Sequence, residues 1–115
     1  MKISIISSKD NYQLAKKLLD PEIRYHLVRE FTDESPYPRT LIKRKLLVSD
    51  YIFVIVDEKF DGNSYLTYSS KLASIVAREK PSITLVPIIL NNAQIPEYLK
   101  DRIYIPCDTS SPESI

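Results

Sequence analysis

The apolar positions of this chain fall into short β-branched runs separated by stretches of helical period. Lys2 to Ser7 alternates and is rich in isoleucine, the mark of a strand. Ser7, Ser8 and Asp10 offer N-caps to a helix carrying Tyr12, Ala15, Leu18 and Leu19 at three- and four-residue spacing, and Pro21 ends it. Ile23 to Val28 predicts a second strand, and Arg29 to Pro38 a polar loop with two prolines. Pro38 suits the first turn of a helix through Leu41, Ile42, Lys45, Leu46 and Val48, closed by Ser49-Asp50. Tyr51 to Val56 is an apolar run rich in β-branched residues, as in a strand buried on both faces.

Asp57 to Asn63 reads as a loop. Ser64 is the expected cap of the longest helix, with Tyr65, Tyr68, Leu72, Ile75, Val76 and Glu79 on one stripe and Lys80-Pro81 as its stop. Ile83 to Leu90 predicts the fourth strand. Asn91-Asn92 turns the chain into a short helix from Gln94 to Leu99, and Ile103 to Ile105 is the fifth strand. Strands alternating with helices require right-handed crossovers and a parallel sheet. The expected fold class is therefore α/β: one flavodoxin-like, doubly wound sheet of five parallel strands, order 2-1-3-4-5, with helices on both faces. Ligands of such sheets sit outside the carboxyl ends of the strands, at the switch point beside the first one. Ser7, Ser8 and Lys9, Asp57 and Glu58, and Asn91 and Asn92 would share that rim.

Composition narrows the chemistry. The 115 residues are 43% hydrophobic and 27% charged, ordinary for one soluble globular domain. Sixteen basic residues against 15 acidic give a net +1, which lacks the electrostatic signature of a nucleic-acid binder. Gly62 is the only glycine, so a P-loop, a dinucleotide fingerprint and a nucleophile elbow are all excluded. His26 and Cys107, the sole histidine and cysteine, cannot make a zinc site or a disulfide, and no metal is expected. No apolar run is long enough to span a membrane, and no export signal is evident, so the expected location is cytoplasmic. Lys43-Arg44-Lys45 reads as a solvated helix face. Eight tyrosines against three phenylalanines favour surfaces that meet another protein, although sheet and helix edges use tyrosine equally.

Residues 1–108 form the expected domain. Ser110-Ser111-Pro112-Glu113 has a serine cap, a proline and an acidic first turn, so 109–115 reads as a tail or the start of a final helix cut from a longer protein. Asp57 stands where a receiver domain would carry its phosphoacceptor. The acidic pair expected after the first strand and the lysine after the fifth are missing, which leaves Asp57 as a turn residue. Ser7 and Ser8 could greet an anion at the helix start or serve only as caps.

One family matches the order of these features. Phe31-Thr32-Asp33-Glu34-Ser35, a helix ending in Ser49-Asp50 and then Tyr51 to Val56 come first. Asn63-Ser64-Tyr65-Leu66, a helix, Lys80-Pro81 and Ile83 to Leu90 follow, with Ile95-Pro96-Glu97-Tyr98-Leu99 before Ile103-Tyr104-Ile105. Together these resemble the Toll/interleukin-1-receptor (TIR) domain family, most nearly its short bacterial branch, over nearly the whole chain. The resemblance implies a TIR-like self-assembly or protein-interaction module of a bacterial-type signalling or anti-phage defence protein. Its partners would be other copies of itself or another protein domain, with contact through Phe31, Tyr37, Phe60 and Tyr65.

Enzymatic members of that family cleave the glycosidic bond of NAD with a glutamate on the long helix. A carboxylate there suits an oxocarbenium-like transition state. Here the matching positions are Ser69 and Ser70, and Ser64 to Arg78 holds no acid. The expectation therefore leans away from catalysis. The alternative is an NAD hydrolase or cyclase, or a nucleotide sensor. It would bind its ligand at Ser7, Ser8, Asp57 and Asn91, with Ser69, Ser70, Asp33 and Glu58 as catalytic candidates.

Overall fold

The computed structural model describes residues 2–18, 27–32 and 38–108. It is an α/β fold with the elements β1 (Ile3–Ser7), α1 (Lys9–Leu18), β2 (Leu27–Thr32), α2 (Arg39–Leu47), β3 (Tyr51–Val56), α3 (Ser64–Glu79), β4 (Thr84–Leu90) and β5 (Ile105–Cys107). The sheet order is β2-β1-β3-β4-β5 and each neighbouring pair is parallel. Among the described residues no helix is long and apolar enough to cross a membrane.

Strand alternation divides the apolar residues between the two faces of the sheet. Ile6, Ile52, Val54, Val56, Leu85 and Ile89 belong to the larger core. Ile42 and Leu46 of α2, Leu66, Ala73, Val76 and Ala77 of α3, and Phe60 and Leu99 belong to the same cluster. Ile3, Ile5, Ile55, Ile88, Leu90 and Cys107 form a smaller core with Tyr12 of α1. At the amino end of the sheet the Lys2 N–H donates to Asp50 Oδ2 at 2.7 Å. The Asp50 and Thr84 N–H groups donate to the Lys2 and Asp50 carbonyls. This clip levels the starts of β1, β3 and β4.

Four local expectations need correction. The second strand is Leu27–Thr32, so Arg29 to Thr32 is not loop; it pairs with β1 from Ser4↔Arg29 to Ser7↔Thr32. A strand at the edge of the sheet can carry charged residues that a central one cannot. Asn63, not Ser64, caps α3: its side chain accepts from the Leu66 N–H at 3.0 Å. The segment Gln94–Leu99 forms only a 3-10 turn over Glu97–Leu99. The fifth strand lies two residues later than expected, because Ile105, Pro106 and Cys107 pair with Ile88, Ile89 and Leu90. Pro106 is tolerated because the strand is at an edge.

The buried face of α3 also differs from the expected stripe. Leu66, Ser69, Ser70, Ala73, Ser74, Val76 and Ala77 face inward. Tyr65, Tyr68 and Leu72 pack at the margin, while Ile75 is 44% exposed and Glu79 is exposed. The inward face thus mixes Leu66 and Val76 with small serines and alanines, and the two tyrosines flank it. His26, the first part of the expected second strand and the tail at 109–115 lie outside the described residues.

Candidate functional site

The carboxyl ends of β1, β3 and β4 meet the amino ends of α1 and α3 around a cavity of about 480 Å3. Ser8, Asn11, Asp57, Glu58, Asn63 and Asn91 contribute polar lining, and Leu66 and Leu90 contribute apolar lining. Ser8 caps α1, its Oγ accepting from the Asn11 N–H at 3.3 Å. The Asn11 side chain then reaches across the sheet ends, its Nδ2 donating to Asp57 Oδ2 at 2.8 Å. Asp57 Oδ1 accepts from the Lys59 N–H at 3.0 Å, which closes the turn after β3. Both carboxylate oxygens of Asp57 are thus engaged in holding two loops together.

Asn91 and Asn92 have φ of 51° and 60°, the left-handed region that asparagine tolerates better than most residues. With the Ala93 N–H donating to the Leu90 carbonyl at 2.9 Å, they make a tight turn at the end of β4. The Asn91 N–H donates to the Cys107 carbonyl at 2.8 Å, tying that turn to β5. Asn91 therefore stands between the first cavity and a second one of about 610 Å3, lined by Ile89, Ala93, Ile95, Tyr104 and Cys107 among others. Burial pushes the Cys107 thiol above its usual range, with Asp108 adding to the effect. A thiol held protonated is a poor nucleophile.

The structure separates the expected site residues. Ser8, Asp57, Glu58 and Asn91 line one cavity. Ser7 does not line it: it is fully buried and its Oγ donates to the Ser8 carbonyl at 2.9 Å. Ser69 and Ser70 are also fully buried and line neither cavity. Ser69 Oγ has no hydrogen-bond partner, whereas Ser70 Oγ lies 2.6 Å from Tyr98 Oη. Phe60, expected on a contact surface, is 1% exposed and belongs to the core. Tyr65 is half-buried against that core. Phe31 sits on β2 rather than in a loop. Asp33 and Tyr37 lie outside the described residues.

Asn11, Asn63 and Tyr98 carry geometry beyond the residues expected at the site. The Asn63 cap had a local signal, since asparagine is at least as strong a cap as the serine that follows it. Asn11 and Tyr98 act across the fold, on partners 46 and 28 residues away, and have no local signature. Among the described residues no cluster of histidine, cysteine, aspartate or glutamate could hold a metal ion. No protein-family model matches the chain, and no curated protein matches it.

Proposed function

We propose that this chain is a protein-interaction module of the TIR-like kind, built on a flavodoxin-like, doubly wound sheet. In this reading it self-associates, or meets another domain, within a bacterial-type signalling or anti-phage defence protein in the cytoplasm. The observation that carries the reading is apolar surface left outside a closed core. Ile103, Tyr104 and Ile105 run consecutively at 90%, 44% and 40% exposure into the start of the edge strand β5, and Ile75 stands 44% exposed on α3. Clustered apolar surface of this sort marks contact sites more often than isolated exposed residues do. Two features of α3 support the reading further. It has no carboxylate from Ser64 to Arg78, and the serines at the family's catalytic position are buried in packing.

A second reading is favoured by the 480 Å3 cavity, whose polar groups converge where two helices begin. In that reading the cavity binds NAD or a related nucleotide, and Asp57, Glu58 and Asn91 orient it. Measuring mass against concentration, with NAD turnover assayed at the highest concentration, separates the two. Association without turnover fits the interaction module, and turnover without association fits the second reading.

A further inference from the structure

We propose that the exposed ridge of α3 centred on Ile75 is a plug, and the strand-end cavity its socket, in a head-to-tail contact between copies of this chain. The inference rests on the self-association reading and names its surfaces. On the ridge, Lys71 lies four residues before Ile75 and Arg78 three after, so the three share one face of the helix. Both cations are held in place. Lys71 Nζ stands 5.6 Å from the centroid of the Tyr98 ring, and Arg78 Nη2 donates to Ser74 Oγ at 3.2 Å. Arg78 keeps further donors for a partner. The nearest acid along the helix, Glu79, is paired with Lys43 at 3.7 Å. The ridge thus presents an aliphatic side chain between two fixed positive charges, and holding them beforehand lowers the ordering cost of contact.

The cavity has the complementary chemistry. Asp10, Asp57 and Glu58 place carboxylates around it, with Lys59 as the cation among its lining residues, and Leu66 and Leu90 add the little apolar surface that the two cores leave uncovered. Asp57 is occupied by Asn11 and the Lys59 N–H, which leaves the exposed Asp10 and Glu58 to meet incoming cations. At about 480 Å3 the space exceeds what one isoleucine fills. The chain carries a net charge of only +1, so the basic ridge and acidic rim are segregated charge rather than a general surplus. Opposed patches of this kind guide encounter and fix register, and salt weakens them.

Leu66 and Ile75 lie on the same helix, separated by roughly 14 Å at 1.5 Å per residue. A copy therefore cannot plug its own socket. Each contact leaves one plug and one socket open, so the assembly grows as a line unless its rotation closes a ring.

Charge exchange tests this directly. One variant carries Lys71→Glu and Arg78→Glu, the other Asp10→Lys and Glu58→Lys; a third, Ile75→Asp, blocks the plug independently. All five positions are exposed, and thermal unfolding verifies that each variant is folded. Sedimentation should show each variant alone associating at least about tenfold more weakly than the unaltered chain. An equimolar mixture of the two charge-reversed variants should recover the assembly, because every contact is then re-paired. If the unaltered chain associates and the variants do so equally well, the plug and socket are wrong while self-association stands. Variants that fail alone and also fail when mixed likewise overturn this contact. An unaltered chain that stays monomeric overturns this contact together with the self-association it rests on.

Discussion

Ser70 Oγ and Tyr98 Oη lie 2.6 Å apart and join α3 to the 3-10 turn before β5. Ser74 Oγ donates to the Tyr98 carbonyl at 3.3 Å, and the Lys71 ammonium lies over the Tyr98 ring. One turn of chain is thus fastened to one helix by three different parts of a single tyrosine. Ser70→Ala should lower stability by about 1–2 kcal/mol, because it leaves the Tyr98 hydroxyl behind in a packed seam. Tyr98→Phe should cost less, about 0.5–1 kcal/mol, because Ser70 Oγ still donates to the Thr67 carbonyl at 3.2 Å. Urea unfolding of both variants checks this. The double variant should cost less than the two losses together, since both remove the same bond.

The neighbouring serine predicts the opposite sign. Ser69 Oγ is buried without a partner, so its hydroxyl carries an uncompensated desolvation cost. Ser69→Ala removes that cost and adds the better helix former, and should stabilise the chain by about 1 kcal/mol. A rise in the urea midpoint with unchanged slope is the expected result.

Alkali should loosen the same seam. Burial, chiefly, raises the Tyr98 phenol above 10.0, with Asp61 adding to the rise and the Ser70 hydrogen bond opposing it. The native state then holds the proton more tightly than the unfolded chain. This contribution is fully present below pH 10.0 and is lost as pH rises through the higher native value. Stability measured through that window should fall less steeply in Tyr98→Phe.

Core and surface apolar residues should respond very differently to truncation. Phe60→Ala should cost about 3–5 kcal/mol, because the ring is fully enclosed in the larger core. Ile103→Ser, at a position 90% exposed, should change stability by less than about 0.5 kcal/mol. Thermal unfolding of the pair therefore separates the residue that builds the fold from one available to a partner.

These particulars show what local sequence carries. The run Tyr51–Val56 is apolar on both faces, as a central parallel strand requires. Thr84–Leu90 reads the same way despite Pro87, which pairs with Val54 of β3 and lies before the stretch that pairs with β5. The edge strands were harder to read. Leu27–Thr32 contains Arg29 and Glu30, and Ile105–Cys107 contains Pro106, because an edge strand has only one neighbour to satisfy. The stripe on α3 was misplaced for a related reason. Hydrophobicity singles out Tyr65, Tyr68, Leu72 and Ile75, whereas Ser69, Ser70, Ala73 and Ser74 are the buried positions, Ser70 and Ser74 bonded to Tyr98. At the rim, Ser8, Asp57, Glu58 and Asn91 were found because strand ends in a parallel sheet converge. The bond from Asn11 to Asp57 depends on how α1 sits over the turn after β3, which no local spacing encodes.

The most direct test of the interaction module is the mass of the purified chain by sedimentation equilibrium, from micromolar to near-millimolar concentration, at low and at high salt. The expected mass rises with concentration above that of the 13.3 kDa monomer, and less steeply at high salt. A single 13.3 kDa species throughout, from a chain that unfolds cooperatively, would contradict self-association.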